Sequence, residues 1–404
     1  MQDSTRKSGF RNIVFLGLVS FFADISSEMV YPLIPLYLTA AFGATPVLVG
    51  VIEGIAESVA SLLKVFSGYI SDKYNRKKPI AFCGYAAGLF YKLALLFACS
   101  WVGILGARVI DRFGKGVRTA PRDVMVSESA DQAEMGKAFG IHKTLDMAGS
   151  AVGILLSFLL LKQIGEGAYQ TIFAVSILPM LFALGMFVFI REERGPRPVR
   201  QREVFWKNIR GLHGNLKLYL LVAFLFTLGN SSNTFLLLKA TNLGFSSADA
   251  ILLYFVYNVT SALLAIPFGK WSDRAGRKRV LTAGYLMFAA VYLGFAFVTE
   301  KWMLVAVFAL YGFYTAMVAG VERAFISEIA PPDLKGTMLG VHSTLVGVAL
   351  LPASVIAGLL WDNIGPSAPF VFGAVLSALA AVLLGLFFKA NKALPAEENG
   401  HAPA

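Results

Sequence analysis

The sequence predicts an all-α membrane protein with twelve transmembrane helices in two parallel six-helix repeats. Hydrophobic residues make up 56% of its 404 residues and charged residues only 15%, whereas an ordinary soluble domain has about 25% charged residues. The apolar residues form continuous blocks of about 20, the length of a helix that crosses the bilayer core. Short motifs also recur about 200 residues apart, which indicates an internal repeat.

Continuous apolar blocks favour helices over a membrane β-barrel, whose strands alternate apolar and polar residues. In the first half the blocks lie near residues 12–39, 46–70, 79–99, 101–125, 136–162 and 169–190. In the second half they lie near residues 217–240, 247–271, 279–299, 302–328, 335–361 and 367–389. These blocks predict six-helix bundles at residues 1–190 and 215–390, a cytoplasmic basic linker at residues 191–214 and a disordered tail at residues 391–404.

Basic residues are concentrated in the loops after the second and eighth spans and in the linker. The positive-inside rule therefore places both termini in the cytoplasm, and we expect a multi-pass protein of a bacterial inner membrane. The same clusters account for the formal net charge of +11 without a nucleic-acid partner. Cys83 and Cys99 fall in apolar blocks, and we expect them to pack as small hydrophobes.

One loop motif follows the second span of each half. Gly68, Asp72 and Arg76 recur 201 residues later as Gly269, Asp273 and Arg277. Around the fifth span of each half, Gly136, Gly140, His142 and Thr144 recur 200 residues later as Gly336, Gly340, His342 and Thr344. The two halves are therefore interpreted as parallel repeats.

This loop motif resembles the signature of the major facilitator superfamily of secondary transporters, and the likeness covers essentially the whole chain. Asn75 stands where that signature more often has glycine. The resemblance implies that the loops act as latches between the halves, although the basic residues could instead only set topology. The gating candidates that it implies are Gly68, Asp72, Arg76, Gly269, Asp273 and Arg277.

Two further patterns are similar to family motifs in part. Arg108, Gly114 and Gly116 match a fourth-span motif, but Arg112 stands where glycine is usual. In the fifth span Gly149 and Gly153 match the exporter pattern, but Ile154 replaces its proline, so the direction of transport stays open. Gly140, Gly149 and Gly153 also predict close helix packing. Pro32, beside Tyr31 and Glu28, predicts a hinge in the first span.

Ionisable side chains within the spans are concentrated in the first half. Each one costs at least about 2.5 kcal/mol in a membrane, so each is a functional hypothesis. Carboxylates held out of water beside other acids are candidates for carrying a proton. The proton-coupling candidates are Asp24, Glu28, Glu57, Asp111 and Asp146. We expect coupling and recognition of substrate charge between spans one, two and four.

Arginine can grip a carboxylate or phosphate with two hydrogen bonds, and the second half offers amides and tyrosines at the matching repeat positions. The substrate-binding candidates are Tyr31, Glu53, Arg108, Arg112, Lys115, Asn230, Asn233, Tyr254, Tyr257, Asn258, Tyr311 and Tyr314. An alternative is that the acids and bases of the first half pair with one another and only make it rigid.

These patterns predict a secondary active transporter that moves a small charged or zwitterionic organic solute by alternating access, driven by a proton or other ion gradient and needing no cofactor. Alternatives are an exporter of amphipathic drugs, a divalent-metal carrier, or a transporter-like membrane receptor. Enzyme motifs such as GxSxG, HExxH and the P-loop are absent from the sequence. The expected partners are the substrate and the lipid bilayer, and one chain of twelve spans is sufficient as a monomer. No His or Cys pair has the spacing of a bound structural metal.

Overall fold

The computed structural model describes residues 2–74, 76–130, 135–165, 167–192, 214–330 and 335–388, with side chains outside residues 2–8, 64–74, 135–136 and 335–337. The helices of the first half are α1 Gln2–Val30, α2 Leu33–Phe42, α3 Pro46–Tyr74, α4 Lys77–Leu96, α5 Trp101–Glu128, α6 Met135–Ile164, α7 Tyr169–Val175 and α8 Ile177–Met186. Those of the second half are α9 Gly214–Gly229, α10 Thr234–Asn242, α11 Ser247–Ala275, α12 Arg277–Phe297, α13 Lys301–Ile329, α14 Lys335–Asn363 and α15 Ala368–Val382. The chain is all-α over these described ranges, as predicted; most of the predicted linker and the whole tail lie outside them.

Three crossings consist of two helices each, namely α1 with α2, α7 with α8 and α9 with α10, so the fifteen described helices make twelve crossings. Eleven stretches of the described chain are long and apolar enough to span a membrane. The remaining crossing is α5, which has 28 residues but a mean hydropathy lowered by its charged side chains. It packs between α3 and α4, and this protein environment replaces the lipid contacts that its sequence would not tolerate.

The first span breaks at Tyr31 and Pro32, between α1 and α2. Proline has no backbone N–H to donate within a helix, so a break beside it is expected. The seventh span breaks at the matching place, between Gly229 and Thr234. Both halves therefore present irregular backbone at the same depth, and in membrane proteins such backbone is tolerated where protein or a cavity surrounds it.

Helices α1 and α6 approach closely at two glycines. A Cβ atom on Gly149 would lie 2.9 Å from Phe21 Cα, and one on Gly153 would lie 3.0 Å from Ile25 Cα. The close-packing prediction is confirmed for these two residues, because only glycine lets the backbones come this near. It is wrong for Gly140, which has nothing within 4 Å of a Cβ position among the described atoms.

Gly149→Leu is therefore expected to lower the free energy of unfolding by about 1–3 kcal/mol, the usual cost of forcing extra atoms into a packed contact. The measurement is equilibrium unfolding in detergent micelles. Gly140→Leu is the matched control on the same helix, and its change should stay within about 0.5 kcal/mol. Equal destabilisation by both substitutions would show that the α1–α6 contact does not set the cost.

The two halves meet along two helix pairs, α3 with α14 and α6 with α11. Ser58 Oγ donates a hydrogen bond of 2.6 Å to the carbonyl of Gly347, and a Cβ on Gly358 would lie 2.6 Å from Val47 Cα. Small residues thus line the α3–α14 contact over several turns. Such surfaces allow one bundle to rock against the other without unpacking large side chains.

We call the end of the bundle that holds the start of α1 and the end of α15 the terminal face, and the opposite end the distal face. At the distal face α2 contacts α10 and α11, and the hydroxyls of Tyr169 and Ser247 lie 3.3 Å apart. Leu36 of the first half and Phe235 of the second belong to one apolar cluster of buried residues. The halves are therefore closed against each other at the distal face.

Both cysteines are free and exposed on the protein surface, so they do not pack in the protein interior. An apolar block predicts removal from water, and a membrane span achieves this by facing lipid as readily as by facing other helices. The Cys99 thiol lies 3.5 Å from the carbonyl of Phe97 in the loop after α4.

Candidate functional site

A cavity of about 300 Å³ lies within the first half, lined by α1, α4, α5 and α6. Four predicted proton-coupling candidates line it: Asp24, Glu28, Asp111 and Asp146. Four predicted substrate-binding candidates line it: Tyr31, Arg108, Arg112 and Lys115. The expected location between spans one, two and four needs correction, because α6 of the fifth span lines the cavity and α3 of the second does not.

The acids of α3 instead hold two arginines of α5. Arg108 donates from Nε to Glu53 Oε1 at 2.9 Å and from Nη2 to Glu53 Oε2 at 2.5 Å. Both side chains are only 1% exposed. The Nε–Nη2 edge of the guanidinium, one of the two edges that could bind a substrate anion through paired hydrogen bonds, therefore goes to Glu53. The contact of Arg108 Nη1 with Asp111 is longer, at 3.4 Å.

A second Arg–Glu ion pair lies one helical turn further along the same two helices. Arg112 Nη2 lies 2.8 Å from Glu57 Oε1, and the spacing of four residues on both helices explains the register. Arg112 Nε has no hydrogen-bond partner among the described residues. The guanidinium carbons of Arg108 and Arg112 lie 5.2 and 5.1 Å from the centre of the Tyr31 ring, so both arginines form cation–π contacts with Tyr31.

Asp24 of α1 and Asp146 of α6 both line the cavity, and their carboxyl groups lie close enough to interact. The close α1–α6 approach at Gly149 and Gly153 places these helices near enough for the contact. Lys143 Nζ lies 2.7 Å from Asp146 Oδ2, and Arg118 Nη2 lies 4.0 Å from Asp24 Oδ1. Two carboxyl groups form a hydrogen bond only when one of them carries a proton.

Two charged groups of the cavity lack a partner within the described chain. Glu28 Oε2 is buried and accepts no hydrogen bond. Lys115 is exposed to the cavity and forms no ion pair with a described acid. The nearby Arg118 guanidinium lies 4.3 Å over the ring of Tyr85, which occupies one of its faces.

The amides and tyrosines predicted in the second half come together at the break between α9 and α10. Tyr311 donates a hydrogen bond of 2.8 Å to Asn233 Oδ1, and Asn233 Nδ2 lies 3.4 Å from the Tyr257 hydroxyl. Asn230 Nδ2 donates to the Tyr314 hydroxyl at 3.1 Å. These contacts pair the side-chain amides of this region with the tyrosine hydroxyls around it.

The aromatic rings connect this cluster to the first half. The ring centre of Tyr254 lies 5.3 Å from that of Tyr257 and 6.1 Å from that of Tyr31. The second-half tyrosines do not line the 300 Å³ cavity. Asn258 points back to its own helix, where Nδ2 donates to the Tyr254 carbonyl at 2.8 Å.

The predicted gating residues lie at the terminal face. Arg277 lies 3.1 Å from Asp273 and 3.2 Å from Glu328, all within the second half. A Cβ on Gly269 would meet nothing within 4 Å among the described atoms, so this glycine does not mark a close helix contact here. The surroundings of Gly68 and the side chain of Asp72 lie outside what the structure describes.

The first half forms the equivalent ion pair with a different residue. Lys77 Nζ lies 2.6 Å from Glu128, and these positions are each 200 residues before Arg277 and Glu328. Arg76, aligned with Arg277 by the motif, is exposed and precedes α4. The repeat distance falls from 201 residues in the loop motif to 200 residues for this ion pair, because the connections between the helices differ in length. One residue, Gly276 at φ 92°, separates α11 from α12, whereas two positions separate α3 from α4.

Further cavity-lining residues were not predicted as site residues. Arg118, Arg122 and Lys143 line the cavity, and the two arginines continue the stripe of charges along α5 that begins at Arg108. The helical spacing of these charged residues along α5 could have identified both arginines as site residues. Tyr91 also lines the cavity, but nothing in the pattern of its span distinguishes it from a packing residue.

The Major Facilitator Superfamily model matches residues 16–239 and 218–403. The chain belongs to the major facilitator superfamily. A relative named an uncharacterised MFS-type transporter, from Methanocaldococcus jannaschii, is 37% identical over 380 residues, covering 93% of this chain and 94% of the relative. The chain is thus a multi-pass membrane protein and a secondary transporter, not an enzyme.

Solved structures of this superfamily share its fold. A POT family transporter in complex with a thioalcohol-conjugated peptide superposes with a TM-score of 0.80 at 12% identity, over 95% of this chain and 99% of that one. A mutant of the nucleoside transporter NupG gives a TM-score of 0.79 at 12% identity, over 93% of this chain and 100% of that one. At such identities the likeness establishes the twelve-helix architecture alone.

Proposed function

We propose that this protein is a proton-coupled secondary transporter of a small charged organic solute, with the Asp24–Asp146 pair as its proton site. The observation that carries the proposal is the placement of these two interacting carboxyl groups together in the lining of one cavity. Two carboxylates in contact repel each other when both are ionised, so such a pair favours holding one proton between them.

The neighbouring cations provide a route from proton binding to solute binding. Arg118 lies 4.0 Å from Asp24 and also lines the cavity. An anionic group of the solute and an ionised Asp24 therefore compete for the same guanidinium. Proton binding at the pair releases Arg118 toward the solute, and this reciprocal linkage is the thermodynamic basis of coupling.

Alternating access follows from the way in which the halves meet. The bundle is closed at the distal face by α2, α10 and α11. With both termini in the cytoplasm of a bacterial inner membrane, as the basic loops favour, this is the inward-facing conformation. One chain contains both rocking halves, so the working unit is a monomer, and the proton gradient replaces any cofactor.

The other candidate functions have less support. A cavity lined by ten charged side chains disfavours amphipathic drugs, because their apolar surface gains little there. Among the residues that the structure describes, no group of three or more His, Cys, Asp or Glu is arranged to hold a metal ion, so a divalent-metal cargo lacks a site of that kind. The third alternative, a membrane receptor, would bind solute without moving it across the membrane.

The test uses purified protein in liposomes that enclose a pH-sensitive dye. A library of small organic anions, zwitterions and cations is added outside, one compound at a time. The proposal expects at least one compound to move protons across the membrane together with itself, and only in vesicles that contain the protein. Solute that binds but never crosses would instead support a receptor, and solute movement without protons would contradict proton coupling.

A further inference from the structure

We propose that the solute is a zwitterion, held with its cationic group at Glu28 and its anionic group at Lys115. The inference rests on the proposed function only in taking this cavity as the place where the solute binds. It follows from which charges of the cavity already have partners and which do not.

Most of the charged side chains around the cavity neutralise one another. Arg108 and Arg112 are held by the two acids of α3, and Arg122 lies 2.8 Å from Asp123. The remaining paired groups are Asp111, which contacts Arg108 and Arg112, Asp146, which contacts Lys143, and Asp24, which interacts with Asp146. These pairs are internal to the protein, so a solute would have to break them to use them.

Glu28 is the acid that remains. Its Oε2 atom is buried, lines the same cavity and accepts no hydrogen bond from a described residue. A buried carboxylate oxygen without a donor is unfavourable, and a ligand that supplies an ammonium or similar donor removes that penalty. The nearest described cations of α5 do not come within ion-pair distance of it, although Lys115 and Arg112 both act on it electrostatically.

Lys115 is the base that remains. Its side chain is exposed, and it forms no ion pair among the described residues. Arg118 reinforces it, since its closest acid is 4.0 Å away. A lone organic cation near Glu28 would face repulsion from Lys115 and Arg118. A lone anion would leave Glu28 Oε2 unpaired, so only a molecule with both charges satisfies both groups.

The size of the cavity limits the solute. A volume of about 300 Å³ is at the small end of ligand pockets, which fits a molecule of amino-acid size. The rings of Tyr31 and Tyr91 form part of the lining and would cover the carbon chain between the two charged ends.

The test compares matched compounds that differ only in charge. The probes are ω-amino acids from glycine to 6-aminohexanoate, each beside the alkylamine and the carboxylate of equal chain length. Binding to the purified protein is followed by thermal shift up to about 10 mM. At least one amino acid should bind about tenfold or more tightly than both of its single-charge parents.

Substitutions assign the two ends. Glu28→Gln should remove the difference in affinity between the amino acid and its carboxylate parent. Glu28→Asp keeps the charge and should retain that difference. Lys115→Met should remove the difference in affinity between the amino acid and its alkylamine parent. Lys162→Met and Glu300→Gln change exposed charges away from the cavity and should leave binding unchanged.

Other outcomes overturn the assignment. Binding of anions alone, binding of cations alone, no binding by any probe, or an unchanged preference in Glu28→Gln would each do so. The proposed function fails separately, because it fails when no bound solute moves protons in liposomes. Zwitterion binding without proton movement would therefore leave this inference standing while removing the coupling.

Discussion

Asp146→Asn is expected to abolish net proton movement while solute exchange across the membrane continues. The asparagine cannot share a proton with Asp24, and Asp24 is then left beside Arg118, which stabilises its ionised form. Solute-driven proton flux in liposomes should fall by about 100-fold or more, the scale on which positioned acid–base groups act. Exchange of labelled solute needs no net proton transfer and should persist. Asp24→Asn should give the same pattern.

Glu300→Gln is the control for charge removal, because this residue is exposed in the loop before α13. Its proton flux should match that of the unaltered protein. If Asp146→Asn and Asp24→Asn both retain proton flux, another group carries the proton. Loss of exchange together with flux in both variants would indicate damage to solute binding instead.

Glu53→Gln is expected to destabilise the protein by about 3–5 kcal/mol, because it leaves the Arg108 guanidinium buried without its counter-charge. Arg108 and Glu53 are each 1% exposed, so water cannot replace the lost partner. The remaining contact of Arg108, with Asp111 at 3.4 Å, is too long to compensate fully. The measurement is the free energy of unfolding in detergent micelles.

Glu57→Gln provides the matched comparison one turn away. Glu57 is 30% exposed, so water screens its loss and the change should be about 1 kcal/mol or less. The double substitution of Glu53→Gln with Arg108→Met should recover much of the stability, since it removes both charges. Equal effects at Glu53 and Glu57 would contradict the structural role assigned to the buried pair.

The architecture could be predicted from the sequence because the membrane imposes a strong constraint. Apolar blocks of spanning length leave few structures that satisfy every backbone polar group, and the recurrence of Asp72 and Arg76 as Asp273 and Arg277 revealed two equivalent halves. The stripe on α5 likewise follows from helical periodicity. Each of these signals lies within short segments of the sequence, so it can be recognised without knowledge of the tertiary contacts.

The pairing of the charges could not be predicted in the same way. Whether Arg108 meets a substrate or Glu53 depends on how α3 packs on α5, which no single segment encodes. The contact of Asp24 with Asp146 depends on the crossing of α1 over α6 at Gly149 and Gly153. The sequence identified these acids as candidates, but only the packing separates the acids held in ion pairs from those that we propose to share a proton or that lack a partner.

The shared proton is tested most directly by infrared spectroscopy of the ligand-free protein at neutral pH, because a protonated carboxyl group absorbs apart from carboxylates. We expect a protonated-carboxyl band that disappears in both Asp24→Asn and Asp146→Asn and persists in Glu300→Gln. A wild-type spectrum without this band, or a band that survives both substitutions, would contradict the assignment of the proton to the Asp24–Asp146 pair.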